Sequence, residues 1–256
     1  MASKHCVVIG AGTVGACCAW HLRRAGLDVT VIDWEMPGQS TSFGNAACIT
    51  PNYIYPFSHP GVLRDIPRWL TEKDGPLKIR WAHLHKLVPW FWKFWRAGTK
   101  AGVERVGSAQ AQLMRHVTAD FDEILAGTDS SNLRKSRGMI TLYDSREDFE
   151  KMEWAYDLIT RHGFDWQYLG PAELKIMVPE LRFEKGVSLY YPEWQHVLDP
   201  ALVTARIAEA CFSAGGRWLQ DRVHAVSSNE RGVSLATDSG RVIEADSLVV
   251  AAGTWS

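Results

Sequence analysis

Three glycines and one carboxylate carry the first chemical signal. Gly10, Gly12 and Gly15 form Gly-x-Gly-x-x-Gly directly after the apolar run Cys6-Val7-Val8-Ile9. In such a pattern the first glycine turns strand into helix, the second lets backbone approach a pyrophosphate, and the third lets helix and strand pack closely. Asp33 follows about 20 residues on, where an acid takes a ribose 2′-hydroxyl. Ile9, Ala11, Thr13 and Val14, between the glycines, and Trp34, beside the acid, are candidate contacts to the same group. A carboxylate at that point repels a 2′-phosphate, which argues against NADP and leaves NAD and FAD open.

After Trp34 comes a loop of small and hydroxylated residues, 37–47. Its Ser40, Thr41, Ser42, Asn45, Ala46 and Ala47 can lie close to a ligand and donate hydrogen bonds to it. Tyr53, Tyr55 and His59, in a proline-rich stretch unsuited to helix, either face a substrate or pack. Other chemistries find little support. The nine histidines have no zinc-site spacing, and no metal site is expected. Cys6, Cys17, Cys18, Cys48 and Cys211 include no C-x-x-C pair and read as small buried hydrophobes in a reducing compartment. A net charge of -1 gives no bulk attraction to nucleic acid.

The elements that must hold these residues begin with a βαβ unit. It comprises a strand to Ile9, a helix over 13–24 closed near Gly26, and a strand over 28–32. Residues 81–96 hold an aromatic and basic stretch, Trp-Ala-His-Leu-His-Lys-Leu-Val-Pro-Trp-Phe-Trp-Lys-Phe-Trp-Arg. Leu84, Leu87, Val88, Phe91, Trp92 and Trp95 share one helical face, either an interfacial helix on anionic lipid or a buried packing face. A long helix is expected over 101–125, a strand over 138–143, a helix from the Ser145 cap to about 161, and a strand over 186–191. Asp199-Pro200 opens a helix with Leu202, Val203, Ile207 and Cys211 inward. Hairpin signals follow, and 247–252 reads as a buried parallel strand. The expected fold is α/β: a Rossmann-like nucleotide-binding domain in two segments, 1–55 and 196–256, interrupted by an α+β substrate domain over 56–195.

The chain resembles the FAD-dependent amine oxidoreductases of the D-amino acid oxidase superfamily, especially the bacterial D-amino acid dehydrogenase small-subunit group. The resemblance rests on Val7–Gly15, Asp33, Thr41-Ser42-Phe43 and Asn45-Ala46. Pro60-Gly61-Val62, residues 75–80 (Gly-Pro-Leu-Lys-Ile-Arg) and the returning strand that ends in Ala252-Gly253 add to it. Two positions depart from the family. Asp33-Trp34 stands where glutamate-arginine is frequent, and Ala47 where a glycine commonly follows asparagine-alanine.

The resemblance implies a two-dinucleotide-binding-type FAD fold in which the backbone of Val223 meets the adenine ring. It implies oxidative deamination of an amine or amino acid: hydride passes from the α-carbon to flavin N5, giving an imine that hydrolyses to a 2-oxo acid and ammonia. It names no catalytic residue here. It also implies electron transfer to a membrane acceptor, hence a cytoplasmic protein at the inner face of the plasma membrane. No apolar run is long enough to span a bilayer, and no signal peptide is visible. In the family a further large segment follows the last strand, so the chain reads as the N-terminal part of a longer protein. Two alternatives stand beside this reading. One is a non-catalytic fragment that contacts membrane or protein through the tryptophan-rich helix. The other is an NAD-dependent dehydrogenase, which predicts a third parallel strand soon after Asp33.

Overall fold

The computed structural model describes residues 3–72, 84–230 and 232–256. The motif over 75–80 and the start of the aromatic stretch, 81–83, lie outside the described residues. In chain order come β1 (His5–Ile9), α1 (Thr13–Arg24), β2 (Asp28–Asp33), β3 (Cys48–Ile49), α2 (Val62–Thr71), α3 (Leu84–Ala97), α4 (Lys100–Met114) and α5 (Val117–Gly127). Next are β4 (Arg134–Lys135), β5 (Met139–Tyr143), α6 (Arg146–Glu150), α7 (Glu153–Arg161), β6 (Gln167–Tyr168), α8 (Pro171–Met177), β7 (Val187–Tyr191) and β8 (Gln195–Val197). Then follow α9 (Pro200–Ser213), β9 (Arg217–Gln220), β10 (Val223–Asn229), β11 (Gly232–Thr237), β12 (Val242–Ala245) and β13 (Ser247–Val250).

The chain divides into two compact units. The first comprises Met1–Ile49, Thr118–Lys135 and Gln195–Ser256. Thr118–Lys135, expected within the 56–195 segment, belongs to it. Its centre is a parallel sheet in the order β13-β1-β2-β9. Side chains of successive strand residues point to opposite faces, and both faces are covered. Val8, Val29 and Val31 pack with Ala19 of α1 and Cys211 of α9. Val7 and Ile32 pack with Leu235 of the antiparallel meander β10-β11-β12. Removing such a Val or Ile side chain from water contributes about 1.5–3 kcal/mol. Burial on both faces is why β1 carries the unbroken apolar run Cys6–Ile9 rather than an alternating one. A small antiparallel sheet, β3-β8-β4, completes this unit. The first strand after Asp33 among the described residues is not a parallel one. Cys48–Ile49 pairs antiparallel with β8, and the place beside β2 is taken by β9. The NAD-dehydrogenase expectation of a third parallel strand there is not met.

The second unit comprises Thr50–Val117 and Ser136–Trp194. Its antiparallel sheet runs β5-β7-β6. Its core holds Phe149, Tyr156, Leu158, Ile159 and Leu189 with Val103 and Ala111 of α4. The hydroxyls of Tyr143 and Tyr191 meet that of Tyr156 at 2.6 and 3.1 Å, so the buried phenols satisfy one another.

Three local expectations are corrected. The helix expected over 101–125 is two helices, α4 and α5, parted at Arg115 and His116. The helix from Ser145 is α6 and α7, parted at Lys151 and Met152. None of these four residues breaks helices, so hydrophobic periodicity runs through both breaks unmarked. Leu202 is 39 % exposed, while Val203, Ile207 and Cys211 of the same helix are buried.

Candidate functional site: a cleft at the head of the parallel sheet

One cleft, of about 470 Å³, opens at the C-terminal ends of β1, β2 and β13, entirely within the first unit. That edge of an open parallel sheet is where such folds bind ligands, and the volume is in the range of cofactor sites. Its floor is the β1–α1 turn. Gly10 has φ +104°, and a Cβ there would run into the carbonyl of Ala251. A Cβ on Gly15 would overlap the carbonyl oxygen of Gly10, so helix and turn touch only because that residue is glycine. Gly12 differs. It caps α1 in extended backbone without a side-chain cap, and a Cβ there would face Ser42 Oγ at 3.4 Å. The start of a twelve-residue helix therefore stands open to the cleft, with its partial positive charge toward any anion placed there.

The hydroxyl loop wraps this helix start. Ser42 Oγ accepts from Thr13 N–H at 3.0 Å, and the two side-chain oxygens lie 3.1 Å apart. Asp33 sits at the end of β2. Its Oδ2 accepts from Ala11 N–H at 2.7 Å and its Oδ1 from Glu35 N–H at 3.1 Å. A carboxylate has about four acceptor positions, so two backbone bonds orient it and leave capacity for hydroxyl donors. Beyond Asp33, the guanidinium of Arg222 lies 5.3 Å from the Trp34 ring centre, and Trp255 meets that ring edge-on. Asp221 accepts from the hydroxyl of Ser239, and this bond, followed by one from Thr237, holds its carboxyl down to about 2. The β10–β11 register shifts between Val223 and Ala225. Such a bulge sets His224 outside the regular ladder, at the cleft wall.

Most candidates converge here. The lining includes Ile9, Gly10, Gly12, Thr13, Val14, Asp33, Trp34, Ser40, Thr41, Ser42, Asn45, Val223, Ala252 and Gly253. Ala11, Gly15, Ala46 and Ala47 do not line it. Ala11 and Gly15 act from beneath, one by holding Asp33 and the other by close packing. Ala46 and Ala47 lead from the loop into β3, and Ala47 takes the left-handed backbone at φ +55°. The sequence reading missed Asp221, His224, Trp255 and Ser256 at the wall, besides apolar residues flanking the named ones. For Asp221 and His224 the available signal was their place on either side of Arg222 and Val223, at the entry to β10. Tyr53, Tyr55 and His59 belong to the second unit. The Tyr53 and Tyr55 rings lie 4.7 Å apart, burial raises the Tyr55 hydroxyl pKa, and His59 stacks on Trp154. Among the described residues no cluster of His, Cys, Asp or Glu is arranged to hold a metal ion.

A turn that only glycine fits, an open helix start and an oriented acid suit a dinucleotide with a diphosphate and a free ribose. Comparison with known proteins agrees. The family model described as "FAD dependent oxidoreductase" matches residues 5–256. A D-amino-acid oxidase of Bradyrhizobium diazoefficiens is 29% identical over 99% of this chain and 61% of its own length. A D-amino acid dehydrogenase of Paramagnetospirillum magneticum is 31% identical over 96% of this chain and 60% of its own length. The chain thus spans about three-fifths of these relatives. Among solved structures, glycine oxidase from Geobacillus kaustophilus superposes with a TM-score of 0.65 at 19% identity, over 99% of this chain and 56% of its own. An L-proline dehydrogenase from P. horikoshii gives 0.64 at 19% identity, over 99% of this chain and 54% of its own. At such identity these two share the fold.

Proposed function

The chain belongs to the FAD dependent oxidoreductase family, and from that premise we propose that its cleft is the FAD site of an enzyme that oxidises amino acids. The observation that carries the reading is the convergence of the α1 start, Asp33 and Val223 on one cleft. The diphosphate rests at the start of α1 beside Gly12, the carboxylate of Asp33 takes ribose hydroxyls, and the backbone at Val223 meets the adenine. Ser40, Thr41, Ser42, Asn45, Ala252 and Gly253, on the same cleft, serve the remainder. When bound, FAD supplies the hydride acceptor for the α-carbon of an amino acid, whose imine hydrolyses to a 2-oxo acid and ammonia. The residues of this chain bind and orient, and none of them is assigned a proton-transfer step. The D-amino acid oxidase and dehydrogenase among the relatives favour an amino acid as substrate.

A second, separate reading concerns α3. Val88, Trp92 and Trp95 are exposed, and Lys86, Lys93 and Arg96 stand among them with no acid anywhere in the helix. Tryptophan at headgroup depth beside cations is the chemistry of contact with anionic lipid. Among the described residues no helix is long and apolar enough to cross a membrane, so the proposed contact is peripheral. It would bring the protein to a membrane electron acceptor.

The test of the FAD reading is the visible spectrum of the protein after loading with FAD and gel filtration. A retained flavin band, bleached by an amino acid under anaerobic conditions, is the expected result. A protein that stays colourless after loading overturns the assignment.

A further inference from the structure

Two hydroxyls, those of Thr13 and Ser42, stand at the start of α1, and both line the cleft. They are not equivalent, because a third hydroxyl behind them fixes where the protons go. Thr204 lies on α9 with no exposed surface. Its Oγ1 is 2.8 Å from the carbonyl oxygen of Pro200. A carbonyl only accepts, so the Thr204 proton is committed to that bond. Thr204 Oγ1 also lies 2.9 Å from Thr13 Oγ1. With the Thr204 proton spent, Thr13 must be the donor in this contact. Thr13 Oγ1 in turn lies 3.1 Å from Ser42 Oγ, and with the Thr13 proton spent, Ser42 must be the donor there. The chain of bonds therefore runs one way, from Ser42 to Thr13 to Thr204 to the Pro200 carbonyl.

Turning either proton toward a ligand removes one bond from this chain, but at different places. If Thr13 turns, fully buried Thr204 keeps its bond to the Pro200 carbonyl but its oxygen loses the proton it accepts, where no water replaces it. If Ser42 turns, the oxygen that loses its partner is that of Thr13, which faces the cleft and its water or ligand. A bond lost at a buried oxygen is the costlier outcome. We propose that Ser42, and not Thr13, is the hydroxyl that donates to an anionic oxygen at the start of α1. Thr204 is the positioning residue that decides between them. The inference rests on the FAD reading and names the donor within that site.

The test is a double-mutant cycle read as affinity for FAD, ADP and adenosine by titration calorimetry. Ser42→Ala weakens FAD and ADP by about fivefold, the size of one hydrogen bond, and leaves adenosine, which has no diphosphate, unchanged. Thr13→Val changes FAD and ADP by less than about twofold. In a Thr204→Val background the Thr13 proton is released toward the cleft, so adding Ser42→Ala costs about twofold or less. Thr204→Ser, which keeps the hydroxyl, behaves as wild type. The backbone N–H of Thr13 that Ser42→Ala uncovers is common to both backgrounds and cancels from the cycle. Equal losses for Ser42→Ala and Thr13→Val overturn the proposal. So does a Ser42→Ala loss that is the same in both backgrounds, or one that extends to adenosine. Wild-type protein that binds neither FAD nor ADP overturns the cofactor reading and this assignment with it.

Discussion

Gly10, Gly12 and Gly15 look alike in a motif and differ in what a side chain would meet. At Gly10 and Gly15 it meets backbone, and at Gly12 it meets the Ser42 hydroxyl at 3.4 Å on the cleft wall. Serine at position 12 would keep the fold and supply the helix cap that glycine lacks, a gain of a few tenths of a kcal/mol. Its hydroxyl would also compete with an anion for the same N–H groups. Gly12→Ser is therefore expected to melt at or slightly above the wild-type temperature while FAD affinity falls by about tenfold or more. Unchanged affinity would show that no anion sits on this helix. Ala47 points the other way. Its φ of +55° is unfavourable for any side chain, and Asn45 Oδ1 holds the turn by accepting from Ala47 N–H at 2.8 Å. Ala47→Gly is expected to raise stability by up to about 1 kcal/mol, seen as a higher denaturation midpoint; a lower midpoint contradicts the strain. Asp221 makes a prediction in pH. Its carboxyl is held at about 2, below the ordinary 3.8, so its contribution to stability is full above pH 3.8 and is lost as pH falls toward 2. Ser239→Ala should move the carboxyl signal, followed by NMR titration, back toward 3.8. The glycines and Asp33 were legible because each serves a local turn or a fixed spacing. Asp221 and Ser239 were not, because their bond joins two turns whose meeting depends on strand pairing.

Elements with end signals in the sequence are where they were expected. Asp199 accepts from Leu202 N–H at 2.9 Å and Pro200 takes the first helical position, so α9 begins at its cap. Asp199→Ala should cost about 1 kcal/mol in a denaturant titration. Breaks without a glycine, proline or cap, such as those at Arg115–His116 and Lys151–Met152, were not legible, since they follow from packing. The tryptophan-rich stretch had two readings, and the fold separates them residue by residue. Leu87 and Phe91 are half-buried, while Val88, Trp92 and Trp95 face outward. Val88, Trp92 and Trp95 lie at i, i+4 and i+7 and make one stripe, with exposed Trp90 standing off it. If this stripe meets anionic lipid, the protein pelleted with phosphatidylglycerol vesicles should be released by Trp92→Ser/Trp95→Ser and by high salt. Pelleting that survives both changes removes the lipid reading and leaves the FAD reading untouched.

At the scale of the whole molecule, the nucleotide-binding unit is assembled from three separate stretches of chain. The sequence exposed two of them, because β1–α1–β2 and β13 carry buried-strand patterns and Gly-rich ends. The third, Thr118–Lys135, has no such mark. It joins this unit through contacts distant in sequence: Arg24 pairs with Glu123, Arg206 donates to the carbonyl of Asp129, and Gly127 lies against the Trp20 ring. A ligand confined to the cleft should therefore protect parts of all three stretches. ADP carries the adenosine and diphosphate without the flavin, and at a hundredfold excess over its dissociation constant a ligand adds about 2.7 kcal/mol to the state that binds it. Hydrogen exchange with ADP is expected to slow in β1, α1, β2, α9 and β13, and also in α5, while β5, β7 and α7 exchange as before. Slowing confined to the β1–α1 turn would mean that the three stretches do not unfold as one unit. Equal slowing in β5 and β7 would mean that the two units share a single cooperative transition, so that a nucleotide bound in the first is felt through the core of the second.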